Sequence, residues 1–262
     1  WGGQVEAFAG SPWLQMTQID GESVSNGEGG SVTELYEGVH LYNRTMALVD
    51  VDEERFYVLD IFRVKGGDDH LYSFHGPAGS VTTSGLDLVA QEEGTYAGEE
   101  VPFGCFYDLG DDTGDTDSDP CDEEPDSNYQ GSGFQYLENV RRDPDVSGPI
   151  SITWEAVDTW ETSELETDFV IHMPQPSHDV ALAEGKTNIN PPGNPEAVEY
   201  LLVRHTDDES SGDLESTFVA VLDAYDPGGE PTVQSVEILA LSEDDPDSDA
   251  VAIGVHLLDG TT

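Results

Sequence analysis

The chain has 262 residues, and its 56 Asp and Glu against 8 Lys and Arg give a formal net charge of −48. This balance excludes nucleic acid as a partner, because binding phosphates requires many Lys and Arg side chains. Hydrophobic residues still make up 36% of the chain, which is enough for a folded core. A membrane span is not predicted, since no apolar run approaches the ~18 residues that a spanning helix needs.

The acidic residues are spread over nearly every predicted loop rather than gathered in one tail. This pattern predicts a protein of a high-salt environment, where the Debye length falls to about 3 Å at 1 M salt and self-repulsion is screened. An acidic protein of ordinary low-salt surroundings is the alternative. The sequence begins Trp1-Gly2 with neither Met nor a signal peptide, which indicates a processed boundary.

Short stretches of alternating apolar and polar residues recur along the chain, separated by Gly, Pro, Asp and Asn clusters. Such alternation is typical of half-buried strands, and Ile150, Ile152 and Trp154 show it most plainly. In chain order, the predicted strands cover residues 45–51, 57–64, 71–75, 150–155, 168–173, 200–204, 217–222, 233–241 and 250–257. No helix longer than two turns is predicted. We therefore expect an all-β fold with little helix, a large antiparallel two-sheet β-sandwich of the supersandwich kind, as one domain over residues 1–262.

Residues 104–133 interrupt this pattern with an acidic, Gly-rich segment that offers almost nothing to a core. We expect an inserted surface loop. Cys105 and Cys121 lie in it 16 positions apart, which predicts a loop-closing disulfide and a secreted or cell-surface protein. Two buried free thiols are the alternative.

Within this loop, Asp115, Asp117 and Asp119 alternate as ligands do in oxygen-rich Ca²⁺ loops. The Gly and Glu that an EF-hand requires afterwards are lacking, because Pro120 and Cys121 follow. In so acidic a chain we favour a solvated loop, with a Ca²⁺ site as the alternative. No other cofactor is predicted.

The segment YVLDIFRVKGGDDHLYSFHG is unusually rich in titratable groups. Asp60 shares a strand face with apolar residues, so it must be paired or protonated. Arg63 has the opposite parity and is a candidate for binding a carboxylate, while His70, Tyr72 and His75 are candidates for acid or base catalysis. A structural polar network that fixes the strand register is the alternative for each of them.

This segment, extended to the following PAG, resembles the strand–turn–strand of the C-terminal β-sandwich in heparinase II/III-like polysaccharide lyases. Residues 42–44 (YNR) before the strand at 45–51, and the pair EYLLVRH and STFVAVL at 199–205 and 216–222, resemble further strands of that sandwich in the same order. With its acidic surface, the chain is similar to a haloarchaeal-type variant of this family.

The resemblance implies an antiparallel sandwich that is paired with an α-helical toroid, and the cleavage of uronic-acid polysaccharide by β-elimination. The family's catalytic Tyr and Asn or His come from the toroid, and its His-x-His pair and metal ligands precede the region that this chain matches. An upstream toroid is therefore expected before Trp1, and this chain by itself is expected to be inactive.

We thus predict the β-sandwich part of a lyase-like protein acting on an acidic polysaccharide. A non-catalytic carbohydrate-binding or structural surface module of a halophile is the alternative. Because the chain is so negative, binding a polyanion requires a local basic patch, which we predict from Arg44, Arg63 and Lys65, with Arg204 nearby.

Overall fold

The alternating sequence forms antiparallel β-structure almost throughout, as a computed structural model of the chain shows. The structure describes residues 4–21, 23–25, 32–34, 38–105, 133–157, 167–175, 179–187, 193–207, 211–239 and 250–260. In these ranges the only helical element is one 3₁₀ turn, Phe134–Tyr136. None of these residues forms a helix long and apolar enough to cross a membrane.

The strands within the described ranges are numbered here in chain order. They are β1 Gln4–Gly10, β2 Leu14–Asp20, β3 Ser23–Ser25, β4 Val32–Glu34, β5 Leu41–Asp50, β6 Phe56–Lys65, β7 Asp69–His75, β8 Gly79–Ser84, β9 Val89–Ala90, β10 Leu137–Asp143, β11 Ile150–Ala156, β12 Asp168–Met173, β13 Asp179–Lys186, β14 Ala197–Thr206, β15 Glu215–Tyr225, β16 Val233–Leu239 and β17 Ala252–Leu257.

Two antiparallel sheets form the sandwich. The large sheet has eight strands in the order β1-β2-β5-β6-β15-β12-β11-β8, and the small sheet has five in the order β7-β14-β13-β10-β9. Two further two-stranded sheets are β16-β17 and β3-β4. The predicted all-β antiparallel sandwich is therefore confirmed, with more strands than the sequence indicated.

Side chains from the facing sides of the two sheets form the main core. Ile150, Ile152 and Trp154 are buried there, as their alternation predicts, and the core continues through Phe62, Phe218 and other residues of both sheets. We call this side of the large sheet its inner face. Its opposite, outer face is covered by the β16–β17 hairpin around Val221, Val233 and Val236.

The large sheet extends beyond the small one. The edge strand β7 of the small sheet lies over β6 and β15, where the Tyr72 ring centroid is 5.8 Å from that of Phe218. Beyond this edge, the inner face of the large sheet continues through β5, β2 and β1, and its side chains become more exposed toward the edge strand β1. Val5 and Phe8 of β1 are accordingly 66% and 75% exposed.

Candidate functional site

Arg44, Asp60 and Tyr72 meet where the inner face of the large sheet passes under the edge of the small sheet. Asp60 accepts two hydrogen bonds from Arg44, with Nε 2.9 Å from Oδ1 and Nη2 2.5 Å from Oδ2. The Tyr72 hydroxyl donates to Oδ2 over 3.0 Å. The Asp60 side chain is 1% exposed, whereas that of Arg44 is 41% exposed. A buried carboxylate thus holds a guanidinium that reaches solvent.

The strand period and the sheet register bring these three side chains together. Asp60 shares the inner face of β6 with Phe62 and Val64, as the alternation predicts. On β5, Arg44 lies opposite Phe62 in the ladder, one row from Asp60. Tyr72 approaches from the other sheet. Because a lone buried carboxylate is costly, these donors are what make Asp60 tolerable at this position.

The pKa values of both donors are raised, in part by Asp60. Its hydrogen bond to Arg44 raises the pKa of the guanidinium, against the opposite effect of burial. Burial first, and then the negative charge of Asp60, raise the pKa of the Tyr72 hydroxyl. Tyr72 therefore stays protonated near neutral pH and serves as a hydrogen-bond donor rather than as a base.

Two aromatic rings lie close to the guanidinium of Arg44. The Arg44 Cζ atom lies 6.0 Å from the centroid of the Phe62 ring and 5.7 Å from that of Tyr72. Tyr42 packs edge-on against Phe62, with 5.0 Å between the centroids. Such rings attract a cation and restrict its movement, so the orientation of Arg44 is fixed from two sides.

His70 belongs to a buried network between the sheets. Its Nε2 lies 2.8 Å from the Gly66 carbonyl oxygen, and its Nδ1 lies 2.8 Å from the Ser216 hydroxyl. His205 on β14 contacts the same hydroxyl, with 2.9 Å between Nδ1 and Oγ. Since His70 is 5% exposed and Ser216 is 2% exposed, neither side chain is accessible to a polymer.

The remaining histidine candidate points away from Arg44. His75 lies on the outer face of the small sheet, where its ring centroid is 5.2 Å from that of Tyr200. Tyr72 and His75 are on opposite faces of β7 because they are three positions apart in a strand of period two. The structure therefore does not combine His70, Tyr72 and His75 into one acid–base group.

The predicted basic patch is also dispersed over different surfaces. Arg63 is on the outer face of the large sheet, beside a small cavity of about 160 Å³ that Glu215 and Thr217 also line. Lys65 pairs with Glu215 over 3.2 Å. Arg204 pairs with Asp69 over 2.6 Å on the outer side of the small sheet. Of the four cations, only Arg44 is on the inner face of the large sheet.

The loop predictions fall mostly outside the described residues. Cys105 is buried and disulfide-bonded, while Cys121 lies outside the described ranges, so their pairing stays a prediction. Asp115, Asp117 and Asp119 also lie outside these ranges. Within the described ranges, no group of three or more His, Cys, Asp and Glu side chains is arranged to hold a metal ion.

Sequence reasoning missed the apolar residues that surround Arg44. Val5, Phe8, Ile19 and Met46 share its face and are between 38% and 75% exposed. They went unnoticed because β1 and β2 were not predicted as strands. The signal was present in the sequences QVEAFAG and LQMTQID, whose apolar residues recur at intervals of about two.

No protein-family model and no curated protein matches this chain. Among solved structures, it is similar to the heparan sulfate lyase HepC from Pedobacter heparinus, with 7% identity, a TM-score of 0.44, and coverage of 97% of this chain and 26% of that one. It is also similar to HI1317, at 11% identity and a TM-score of 0.40 over 85% and 64% of the two chains. The putative mutarotase YeaD from Salmonella typhimurium gives 9% identity and a TM-score of 0.40 over 86% and 65%.

The chain spans about a quarter of the length of the lyase it matches. With TM-scores below 0.5, these likenesses support no conclusion about the fold relation or the activity of this chain. Membership of the heparinase II/III-like family therefore stays a prediction.

Proposed function

We propose that this chain is the β-sandwich part of a lyase-like protein that degrades uronic-acid polysaccharide by β-elimination, and that its own task is to bind the polymer. The observation that carries this proposal is the inner face of β1, β2 and β5, where one exposed cation stands among exposed apolar side chains. Sugar rings present apolar faces between their hydroxyl groups, and apolar or aromatic side chains are the surfaces against which such faces pack.

The composition of this face suits an acidic glycan better than the rest of the molecule does. From the edge inward, the register gives the rows Val5–Ile19–Arg44–Phe62, Phe8–Thr17–Met46–Asp60 and Gly10–Gln15–Leu48–Val58. Among the described inner-face residues of these four strands, the carboxylates are Asp60, which is buried, and Asp50 at the strand end. In a chain of 56 acidic residues this face is locally depleted of negative charge, which lowers the repulsion that a polyanion would meet.

The two titratable groups that contact Arg44 on this face are not free to act as the base of the elimination step. β-Elimination requires a group that removes the C5 proton of the uronate and an acid that protonates the leaving oxygen. Tyr72 keeps its proton and donates a hydrogen bond to Asp60, and the Asp60 carboxylate is occupied by Arg44 and Tyr72. We therefore assign substrate binding to this face and the proton transfers to residues away from it.

A binding assay with surface variants of unchanged charge tests the proposal. The 262-residue chain in about 2 M NaCl, where charges are screened, is titrated with polygalacturonate, alginate and hyaluronan by calorimetry. We expect at least one polymer to bind, and Phe8→Ala with Met46→Ala to weaken that binding about tenfold. Val89→Ala is the matched control, because Val89 is 67% exposed on the small sheet. Absence of binding to every polymer would overturn the proposal.

An activity assay separates the lyase reading from a purely carbohydrate-binding module. Elimination produces an unsaturated uronate that absorbs in the ultraviolet, so product formation is followed directly. We expect no new absorbance from the 262-residue chain, and new absorbance from a longer natural protein that contains it. Binding without product in the longer protein would establish the non-catalytic module instead.

A further inference from the structure

The guanidinium of Arg44 has one edge occupied and one edge open. Asp60 binds the edge formed by Nε and Nη2. A guanidinium carries five N–H donors in a rigid plane, so two N–H groups of Nη1 and the second one of Nη2 remain on the other edge. The Tyr72 hydroxyl interacts with the guanidinium on the Asp60 side. Because the Arg44 side chain is nevertheless 41% exposed, we take the Nη1 end as the part that faces solvent.

The shape of the open edge fits a planar group with two oxygen atoms. Two parallel N–H groups match the two oxygens of a carboxylate, and such bidentate pairs are stronger and more specific in direction than contacts with a point charge. Holding the guanidinium in advance reduces the side-chain entropy lost on binding. Asp60, Tyr72 and the Phe62 ring provide that hold.

We propose that the open Nη1–Nη2 edge of Arg44 is a receptor for the carboxylate of one uronate residue, and that Asp60 and Tyr72 are its positioning residues. This inference rests on the function proposed above and names the recognition element within it. The body of the sugar then lies over Ile19, which is opposite Arg44 in the ladder, and over Phe8 and Met46 in the next row. Since Asp60 already balances the charge of Arg44, the site selects by geometry more than by net charge.

The selectivity follows from this geometry. A polymer whose carboxyl groups have been reduced to alcohols keeps its rings and hydroxyls but loses the two acceptor oxygens. A neutral polymer carrying sulfate esters keeps negative charge but presents it on a tetrahedral group away from the ring plane. We expect the carboxylated polymer to bind at least about tenfold more tightly than either, at a salt concentration of about 2 M where long-range attraction is screened.

The experiment compares three polymers with three proteins. The polymers are polygalacturonate, its carboxyl-reduced form and dextran sulfate. The proteins are the unmodified chain, Arg44→Lys, which keeps the charge but loses the planar fork, and the double variant Arg44→Met/Asp60→Leu. The double variant removes both charges together, so that no unpaired carboxylate is left buried. Circular dichroism and thermal melting verify that each variant is folded.

The expected result is that both variants lose the preference for polygalacturonate and bind it about as weakly as the reduced polymer. Equal binding of polygalacturonate and its reduced form by the unmodified chain would overturn the carboxylate receptor while leaving glycan binding intact. Unchanged binding by Arg44→Lys would also overturn it, as would dextran sulfate binding as tightly with the same dependence on Arg44. If the unmodified chain binds none of the polymers, the proposed function itself fails.

Discussion

His70, Ser216 and His205 form a hydrogen-bond chain whose direction is fixed by one backbone carbonyl. The Gly66 oxygen can only accept, so Nε2 of His70 carries a proton, and in the neutral imidazole Nδ1 then accepts from the Ser216 hydroxyl. That hydroxyl has a single proton, so His205 must donate to it from Nδ1. Two histidines of the small sheet are thereby tied to one serine of the large sheet, and the chain fixes how the sheets align.

Removing the shared hydroxyl tests this role. Ser216→Ala deprives both rings of their common partner within the core, and we expect a loss of about 1–3 kcal/mol in the free energy of unfolding. Urea denaturation measures it. Ser73→Ala, an exposed serine on β7, is the matched control and should stay within about 0.5 kcal/mol of the unmodified chain. Equal effects of the two changes would show that the network adds no stability.

His172 is a half-buried histidine, and desolvation lowers its pKa to about 4. In the unfolded chain a histidine titrates near pH 6.5. Between these values the unfolded state binds a proton that the folded state does not, so acidification lowers stability throughout this window. Above pH 6.5 neither state binds the proton, and the contribution vanishes.

We expect His172→Gln to remove this part of the acid sensitivity. Between pH 7.5 and pH 5, the unmodified chain should lose about 2 kcal/mol more unfolding free energy than the variant. Urea titrations at the two pH values give the difference, in which the shared titration of the carboxylates cancels. Parallel losses in both proteins would mean that His172 is protonated in the folded state.

At the scale of elements, the end of β7 depends on a close approach between backbone and ring. A Cβ atom added to Gly76 would lie 2.4 Å from the Trp154 ring, which is fully buried between the sheets. The turn between β6 and β7 needs glycine for another reason, because Gly66 adopts a φ of 98°, which other residues avoid. The glycines of the segment YVLDIFRVKGGDDHLYSFHG are thus required by the backbone and by packing.

Gly76→Ala should therefore destabilise the sandwich by overpacking. We expect a cost of about 1–3 kcal/mol, because the Trp154 ring has no room to move within the core. Gly148→Ala is the control, since a Cβ there meets no atom within 4 Å. Thermal melting of the two variants measures the difference in stability. Similar melting temperatures would show that the core accommodates the added methyl group without loss of stability.

The strands that could be predicted were those with one buried and one exposed face, or those that are apolar throughout. Asp168–Met173 was predicted to the residue, and the predicted 57–64 lies within Phe56–Lys65. Gln4–Gly10 was missed because it is an exposed edge strand with little burial to impose a pattern. Asp179–Lys186 was missed because Ala181, Ala183 and Gly185, which are residue types of low strand propensity, interrupt its apolar run.

At the scale of the whole molecule, the positive side chains pair with neighbouring carboxylates, and most of the negative charge is left without a positive partner. At least seven of the eight Lys and Arg side chains form ion pairs with Asp or Glu. The net charge of −48 therefore acts on the sandwich as general self-repulsion. Dissolved salt screens this self-repulsion.

We predict that stability rises with salt and that most of the gain occurs below about 1 M. Over that range the Debye length falls from about 10 Å at 0.1 M to about 3 Å, beyond which little repulsion remains to be screened. Thermal melting in a KCl series measures the effect, with sucrose as the uncharged control. A melting temperature independent of KCl would contradict the proposed high-salt environment.

The sequence by itself determined the fold class and the pairing requirement of Asp60, because strand period and burial are local consequences of residue order. It also predicts an acidic surface and no nucleic-acid partner, and both predictions depend on composition alone. Only the tertiary structure decided which cation meets Asp60. Arg63 is three residues away in sequence but points to the other face, whereas Arg44 arrives through the β5–β6 register. The open edge of Arg44 and the apolar face around it likewise exist only because the large sheet extends past the small one, and no local pattern encodes that difference in width.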